Sequence, residues 1–282
     1  MKVIHQKLPV RMLMQLSRSR IPFKIVINNE YLPMNGLPII FAANHTNSYD
    51  IPISINAVRK PLCVLLGKQR LGFADRFFFF LNGTIYFDRT DRTETRQAKD
   101  AMIKLLRSGR SILCFPEGTW NMTDNLLMLP MKWGIIEVAR AAGAQIIPMA
   151  LEYDRENMIC AVCFGEPIFG TALDNKAEAI GDLRDAMATL RWELISRIPP
   201  QDRGSLDIPK CRASMWQAVK EYPPIEWEKE EQVIFHPYKN VDVVPKRLSP
   251  SRANAFLFGK TEWREHNGEA PPSAEIIPRE AP

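Results

Sequence analysis

Residues 37–50 read LPIIFAANHTNSYD, an apolar run that passes directly into a polar turn. The apolar half, residues 37–43, is typical of a buried strand bounded by turn residues. From this strand in both directions, short apolar runs alternate with amphipathic segments up to about residue 198. That alternation predicts an α/β domain built from strand–helix–strand crossover units.

The other strands are predicted from short apolar runs, and the helices from amphipathic segments with a helical period. Further strands are predicted at 24–28, 61–66, 84–87, 111–115, 144–152 and 158–164. One helix is predicted to begin after Asp50, and a second helical stretch is predicted to follow Lys68 and run through Phe80. Further helices are predicted at 93–107, 132–142 and 177–198. The run at 77–81, FFFFL, is apolar on every side, so it is either deeply buried or part of an apolar surface.

The polar half of the opening stretch sets His45 five positions before Asp50, at the end of a predicted strand. A neutral imidazole accepts a proton near pH 7, and a carboxylate on its other nitrogen fixes the tautomer and stabilises the imidazolium. The pair therefore predicts a general base. The alternative is structural, with Asp50 capping a helix whose first turn holds Pro52 and His45 satisfied at a strand end.

A protein nucleophile is missing from the sequence. No G-x-S-x-G elbow occurs anywhere in the chain. The hydroxyl that His45 would deprotonate is therefore expected to belong to a substrate.

The basic charge is concentrated at the N-terminus. Residues 1–30 carry six basic side chains against one acidic one, which equals the formal net charge of +5 of the whole chain. Apolar residues are interleaved with these charges, so residues 1–22 predict a basic amphipathic arm. The arm either binds an anionic membrane surface or packs on its own domain. The balanced charge of the remainder gives no indication of nucleic-acid binding.

Cysteine usage and hydropathy argue against a disulfide-bonded, metal-binding, membrane-spanning or secreted protein. Five scattered cysteines indicate a reducing compartment rather than a disulfide framework. Cys160 and Cys163 lie in a predicted strand, where residues three apart point to opposite faces, so no metal site is predicted. No apolar run of about 18 residues suggests a spanning helix, and Lys7 and Arg11 interrupt any signal-peptide core.

The C-terminal third differs from the rest of the chain. It holds 12 of the 22 prolines after residue 198, together with three tryptophans. The predicted organisation is an arm at 1–22, a domain at 23–200, an irregular Pro- and Trp-containing extension at 201–265, and a disordered tail at 266–282.

Three polar loops follow predicted strands at 44–50, 88–92 and 116–121. In a sheet built from crossover units, ligands bind beyond the carboxyl ends of the strands, so these loops are expected to converge. Arg89 and Arg92 offer a fork suited to phosphate or carboxylate. Glu117 and Gly118 form a turn that a ligand or another backbone segment can approach closely. A surface ion pair of Asp88 with Arg89 is the structural alternative for the second loop.

Four ordered blocks carry a family resemblance: NHTNSYD at 44–50, GTIYFDR at 83–89, FPEGT at 115–119 and IIP at 146–148. Over residues 37–165 the chain resembles the glycerolipid acyltransferases, whose best-known members are the 1-acylglycerol-3-phosphate acyltransferases. The resemblance implies a mixed, largely parallel sheet flanked by helices. It also implies that His45 is the general base and Asp50 its partner.

The same resemblance implies the substrate contacts and the reaction. The residues implied to bind substrate are Asn44, Lys68, Arg89, Glu117, Gly118, Thr119 and Lys132. The implied reaction transfers an acyl group from acyl-CoA, acyl-carrier protein or acyl phosphate to a lysophospholipid, without metal or cofactor. The implied location is cytoplasmic, at the inner face of the membrane, held there by the arm.

Two departures from the family pattern concern the acceptor. In the first block, many members have serine at the fourth position, where this chain has Asn47 followed by Ser48. In the third block, Trp120 stands where many members have arginine. Because Trp120 removes a cation, an acceptor with another head group is an alternative. Two alternatives for the function itself are hydrolysis of a thioester or ester and a non-catalytic lipid-binding scaffold.

Overall fold

A computed structural model describes residues 1–5, 21–33, 36–68, 72–121, 126–155 and 157–198, with single positions at 12, 15, 18, 19, 207, 209 and 213. Within these residues the chain forms one eight-stranded sheet and five α-helices. Most of the predicted arm, the extension and the tail lie outside the described residues, so the domain boundaries stay predictions.

The sheet is mixed and largely parallel. Its strands are β1 (Lys2–Ile4), β2 (Lys24–Ile27), β3 (Ile39–Ala43), β4 (Leu62–Gly67), β5 (Thr84–Phe87), β6 (Ser111–Cys114), β7 (Gln145–Asp154) and β8 (Ile159–Phe164). Their order across the sheet is β1-β5-β4-β6-β3-β7-β8-β2. The five strands from β5 to β7 run parallel, whereas β1 pairs antiparallel with β5 and β8 antiparallel with β7. The predicted fold class is therefore confirmed.

Helices cover both faces of the sheet. They are α1 (Asp50–Val58), α2 (Phe73–Asn82), α3 (Arg92–Arg107), α4 (Gly134–Ala142) and α5 (Lys176–Ser196). Side chains of α1 and α2 share one buried cluster with Phe41, while α3, α4 and α5 share the other with Ile40. Neighbouring residues of β3 thus point into opposite cores, as the two-residue period of a strand requires. Burial on both faces explains why β3 is uninterruptedly apolar.

Central strand β3 determines where the functional loops meet. It pairs with β6 on one side and with β7 on the other, both in parallel. The loop after β3 therefore lies between the loop after β6 and the carboxyl half of β7. This arrangement confirms the predicted convergence of 44–50 with 116–121.

Two elements differ from the prediction or decide between its alternatives. Lys2–Ile4 at the start of the predicted arm is an edge strand, paired through Lys2↔Tyr86 and Ile4↔Thr84. Sequence reasoning missed this strand because three residues are too short for a periodicity. In α2, Phe78 and Phe79 are buried, whereas Phe73, Phe77 and Phe80 are exposed. The aromatic run is thus both core and apolar surface.

The Cys160–Cys163 pair lies in β8 as predicted, with Cys160 in the core shared with α1 and Cys163 in a smaller cluster with Leu194 on the opposite side. The two thiols cannot share a metal. No helix within the described ranges combines the length and the apolar character that crossing a membrane demands.

Candidate active site

The loop after β3 is fixed first by Asn44. Its buried side chain donates to the carbonyl oxygen of Leu151 at 3.0 Å and accepts from the Leu151 amide at 2.7 Å. This double hydrogen bond continues the β3–β7 pairing after β3 has ended. Asn44 was predicted to bind substrate, but both ends of its amide are committed to β7. In this structure it positions the next residue, His45.

His45 and Asp50 form the predicted pair. His45 Nδ1 lies 2.8 Å from Asp50 Oδ2, and the Asp50 side chain is fully buried while that of His45 is 15% exposed. The same Oδ2 accepts from the amides of Thr46 and Asn47 at 2.6 and 2.9 Å. Asp50 opens α1, yet its carboxylate turns back to the preceding loop rather than capping the helix. The capping alternative is therefore not the observed arrangement.

Tyr153 completes the shell around Asp50. Its hydroxyl donates to Asp50 Oδ1 at 2.5 Å from the carboxyl half of β7. Burial, and secondarily the charge of Asp50, raises the pKa of Tyr153 well above its usual range, so the phenol remains a donor. Phe23 packs edge-on against the Tyr153 ring at 5.0 Å between centroids. A buried carboxylate held by several donors is prevented from rotating away from the imidazole.

The loop after β6 holds His45 on its remaining sides. Glu117 Oε1 accepts from the His45 amide at 3.0 Å, and the Asn121 amide donates to the His45 carbonyl oxygen at 2.6 Å. The ring of Phe115 stacks on the imidazole with centroids 4.2 Å apart and an angle of 21°. His45 is thus fixed at its backbone and in its ring plane by one neighbouring loop.

Trp120 forms a hydrogen bond with His45 Nε2, the ring nitrogen that does not face Asp50. Its indole Nε1 lies 2.7 Å from His45 Nε2, with the two rings edge to face. An indole N–H is only a donor, so Nε2 must present its lone pair and the ring proton must sit on Nδ1, facing Asp50. This is the tautomer that a general base requires, but the lone pair of Nε2 already accepts the hydrogen bond from Trp120.

Glu117 lies beneath the site rather than in it. The carboxylate is buried, and its second oxygen accepts from the Leu129 amide at 2.7 Å. Desolvation raises its pKa to about 7, against the lowering effect of the two backbone donors. Both oxygens of the Glu117 carboxylate accept from backbone amides, and the contact of Glu117 with the acceptor stays a prediction.

The exposed cations of the site lie around Gly118. Arg89 Nη1 donates to the Gly118 carbonyl oxygen, which brings the loop after β5 against the loop after β6. Gly118 has a φ of +76°, and a Cβ added to it would lie 4.0 Å from Lys132 Cγ. Gly67 leaves room for the Arg89 side chain, since a Cβ at residue 67 would lie 3.0 Å from Arg89 Nε. Arg89, Gly118 and Lys132 are therefore close together, as predicted.

The other predicted binding residues are less central. Lys68 forms an ion pair with Glu94 at 2.6 Å and remains half exposed. Thr119 is 8% exposed, between Gly118 and Trp120. No group of three or more histidine, cysteine, aspartate or glutamate side chains in the described part of the chain is placed to hold a metal ion.

Sequence reasoning missed Tyr153, Phe115 and Asn121, and it considered Trp120 only as a lost cation. A signal existed for Tyr153, which shares a strand face with Leu151 and Met149 and so points toward α1. The hydrogen bond of Trp120 to the base had no such signal, because it depends on how the loop after β6 folds over His45.

The fold has a counterpart among solved structures. A crystal structure of the 1-acyl-sn-glycerophosphate (LPA) acyltransferase PlsC from Thermotoga maritima matches with a TM-score of 0.54 and 18% identity. The match covers 68% of this chain and 81% of that one. At this identity the likeness concerns the fold alone.

Residues 24–152 match the family model named Acyltransferase. The 1-acyl-sn-glycerol-3-phosphate acyltransferases of Salmonella typhimurium and Escherichia coli are each 36% identical over 115 residues. These alignments cover 40% of this chain and 46% of either relative, so the chain spans less than half their length. The lyso-ornithine lipid O-acyltransferase of Pseudomonas aeruginosa is 25% identical over 201 residues, covering 71% and 72%. The predicted family resemblance is confirmed.

Proposed function

We propose, from the match of residues 24–152 to the family model named Acyltransferase, that this chain transfers a fatty acyl group from an activated donor to the hydroxyl of a lysophospholipid. The acceptor we favour is 1-acylglycerol 3-phosphate, which would give phosphatidic acid. The observation that supports this most is the 2.8 Å contact of His45 Nδ1 with a buried, fully held Asp50.

The proposed mechanism uses His45 as a general base without an acyl-enzyme. His45 Nε2 removes the proton of the acceptor hydroxyl while the hydroxyl oxygen attacks the carbonyl carbon of an acyl thioester. Asp50 stabilises the imidazolium that forms. The tetrahedral intermediate then collapses, the C–S bond breaks, and the imidazolium returns the proton to the departing thiolate. General-base catalysis of this kind contributes about 10²–10⁴-fold.

The acceptor's phosphate is proposed to bind at Arg89, Gly118 and Lys132. An exposed guanidinium and an exposed ammonium beside a half-buried glycine turn offer charge and close approach for a phosphate. Thr119 and Lys68 flank this group and are kept as secondary contacts. Binding there would leave the acceptor's free hydroxyl directed to His45, one loop away.

A second acceptor is favoured by two specific observations. Trp120 replaces a cation that many members carry, and the similarity to the lyso-ornithine lipid O-acyltransferase extends over more of the chain than that to the phosphate-acceptor enzymes. A lysolipid without phosphate is therefore the alternative acceptor. Arg89 would then meet another polar head group.

The donor and the location are also proposals. Acyl-CoA, acyl-carrier protein and acyl phosphate all provide an activated carbonyl, and no further cofactor is required. Because the acceptor and product are lipids, we propose peripheral association with the inner face of a membrane through the basic N-terminal arm.

The deciding experiment is a panel of lysolipids with radiolabelled acyl-CoA. We expect labelled phosphatidic acid from 1-acylglycerol 3-phosphate and much slower labelling of lyso-ornithine lipid. The reverse order would favour the second acceptor. Release of labelled fatty acid regardless of acceptor would indicate a hydrolase, and no turnover of any donor, including acyl-carrier protein and acyl phosphate, would favour a lipid-binding scaffold.

A further inference from the structure

Trp120 is the residue of this site that the proposed reaction leaves unexplained. The base needs a free lone pair at Nε2 to accept the hydroxyl proton, and the indole N–H of Trp120 donates to that lone pair at 2.7 Å. Nδ1 is already bonded to Asp50. In this structure neither ring nitrogen of His45 is available to a substrate.

The hydrogen bond is held from both sides. The Asn121 amide, next in the chain, donates to the His45 carbonyl oxygen, and the Phe115 ring stacks on the imidazole. The backbone around Trp120 is therefore anchored to the residue that its side chain contacts. Rotation of the Trp120 side chain is the smallest movement that would free Nε2.

We propose that Trp120 is a positioning residue that blocks the base until an acceptor displaces it, and so protects the acyl donor from hydrolysis. This inference rests on the proposed acyl transfer. Without Trp120, water could take the place of the acceptor. Its oxygen would attack the thioester carbonyl, its proton would pass to Nε2 and then to the departing thiolate, and the products would be free fatty acid and thiol.

An acceptor displaces the indole more effectively than water because it is anchored elsewhere. A head group bound near Arg89 and Gly118 holds its own hydroxyl next to Nε2, so its effective concentration there is high. A water molecule has only its hydrogen bond to Nε2 to compete with that of Trp120. The indole therefore discriminates between acceptor and water without contacting the thioester.

The test compares Trp120→Phe, which removes the N–H but keeps a ring, and Trp120→Ala, which removes the ring. Trp192→Phe is the matched control, because Trp192 is 59% exposed on α5 and is in none of the contacts of His45 described above. We expect both Trp120 variants to hydrolyse labelled acyl-CoA about two- to tenfold faster without acceptor, the effect of one hydrogen bond of ordinary net strength. The transfer-to-hydrolysis ratio should fall accordingly, and Trp192→Phe should match the wild type.

A second readout is independent of turnover. Diethyl pyrocarbonate modifies a free imidazole nitrogen, and peptide mass spectrometry reports its rate at His45. We expect faster modification of His45 in both Trp120 variants than in the wild type and Trp192→Phe. With Trp120 kept, the indole proton resonance of Trp120 should move upfield from its wild-type position on His45→Ala, which removes the acceptor of its hydrogen bond.

The outcomes separate this inference from the function on which it rests. Unchanged hydrolysis and unchanged His45 modification in folded Trp120 variants would overturn the inference even if wild-type transfer is normal. An indole resonance insensitive to His45→Ala would overturn it even if neither Trp120 variant folds. Faster modification of His45 in a protein that transfers to no acceptor would leave Trp120 as a block on the base and overturn the proposed acyl transfer.

Discussion

Asp50 is bonded more extensively than the role of a simple partner to His45 requires. Its Oδ2 accepts from Thr46 and Asn47 as well as from His45, and its Oδ1 accepts from Tyr153. The two backbone amides can donate only to an oxygen. They therefore determine which atom of residue 50 faces the imidazole, even in an amide variant.

This leads to a specific expectation for Asp50→Asn. The side-chain oxygen should take the Oδ2 position and the NH₂ group should face Tyr153, whose hydroxyl can turn to accept. His45 then keeps its Nδ1 proton but loses the stabilising charge. An adjacent opposite charge shifts a pKa by about 1–3 units, so we expect kcat to fall roughly 10- to 10³-fold, less than the roughly 10⁴-fold of a wrong tautomer.

Steady-state kinetics and ¹⁵N spectra of His45 measure this outcome. Asp50→Asn combined with Tyr153→Phe removes the nearer acceptor for the new NH₂ group, leaves the Thr46 hydroxyl at 3.5 Å, and should be worse than Asp50→Asn alone. A single variant with the proton on Nε2, or with a loss of 10⁴-fold or more, would contradict the role given to Thr46 and Asn47.

At the scale of elements, the loop after β6 depends on the buried Glu117. This carboxylate joins the His45 amide to the Leu129 amide, so it ties three segments of chain together. Its pKa of about 7 lies above the ordinary 4.5, mainly because burial disfavours the charged form. Between these two values the native state keeps a proton that the unfolded chain has released.

Stability should therefore decrease as pH rises through this window and level off above it. Glu117→Gln cannot titrate and also presents an NH₂ group to one of the two amide donors, so it should be less stable than the wild type. We expect this advantage of the wild type in free energy of unfolding to shrink by about 2–3 kcal/mol between pH 5 and pH 8. Urea unfolding of both proteins at the two pH values measures it. An advantage that stays constant or grows would show that Glu117 is not protonated in the native protein.

The elements themselves were largely predictable from the sequence. Buried strands such as β3 are continuous apolar runs, and amphipathic helices such as α3 carry a strong periodicity. The predicted meeting of the loops after β3, β5 and β6 follows from parallel pairing. His45 and Asp50 were predictable because they are close in the chain. The strand face of Tyr153 was predictable but its contact with Asp50 was not, and Trp120 gave no signal, since both residues reach the pair over more than 70 positions and only folding brings them there.

At the scale of the whole molecule, the edge strand β1 changes how the membrane proposal is tested. Deleting the N-terminal arm would also remove Lys2–Ile4 from the sheet and confuse adsorption with folding. Replacing Lys7, Arg11, Arg18 and Arg20 by glutamine leaves β1 intact. Each basic residue near an anionic surface contributes about 1 kcal/mol, so we expect the substitutions to abolish binding to phosphatidylserine vesicles.

Co-sedimentation at low and high salt measures this adsorption. Wild-type binding should weaken as salt is raised, because exposed charges are screened. A matched control replaces four basic residues outside the proposed acceptor site by glutamine and should leave adsorption largely unchanged. They are Lys104 and Arg107 in α3, Arg110 after it and Arg184 in α5. Equal loss in the control set, or binding insensitive to salt and to the arm substitutions, would return the arm to a role within its own domain.

The central claim is that His45 removes the proton of a lysolipid hydroxyl. The most direct measurement is transfer of label from acyl-CoA to 1-acylglycerol 3-phosphate by His45→Ala. The loop should stay in place in this variant, since residue 45 keeps the amide that donates to Glu117 and the carbonyl oxygen that accepts from Asn121. We expect transfer to fall by about 10²–10⁴-fold with an unchanged melting temperature. Transfer near the wild-type rate by a folded His45→Ala protein would contradict the account.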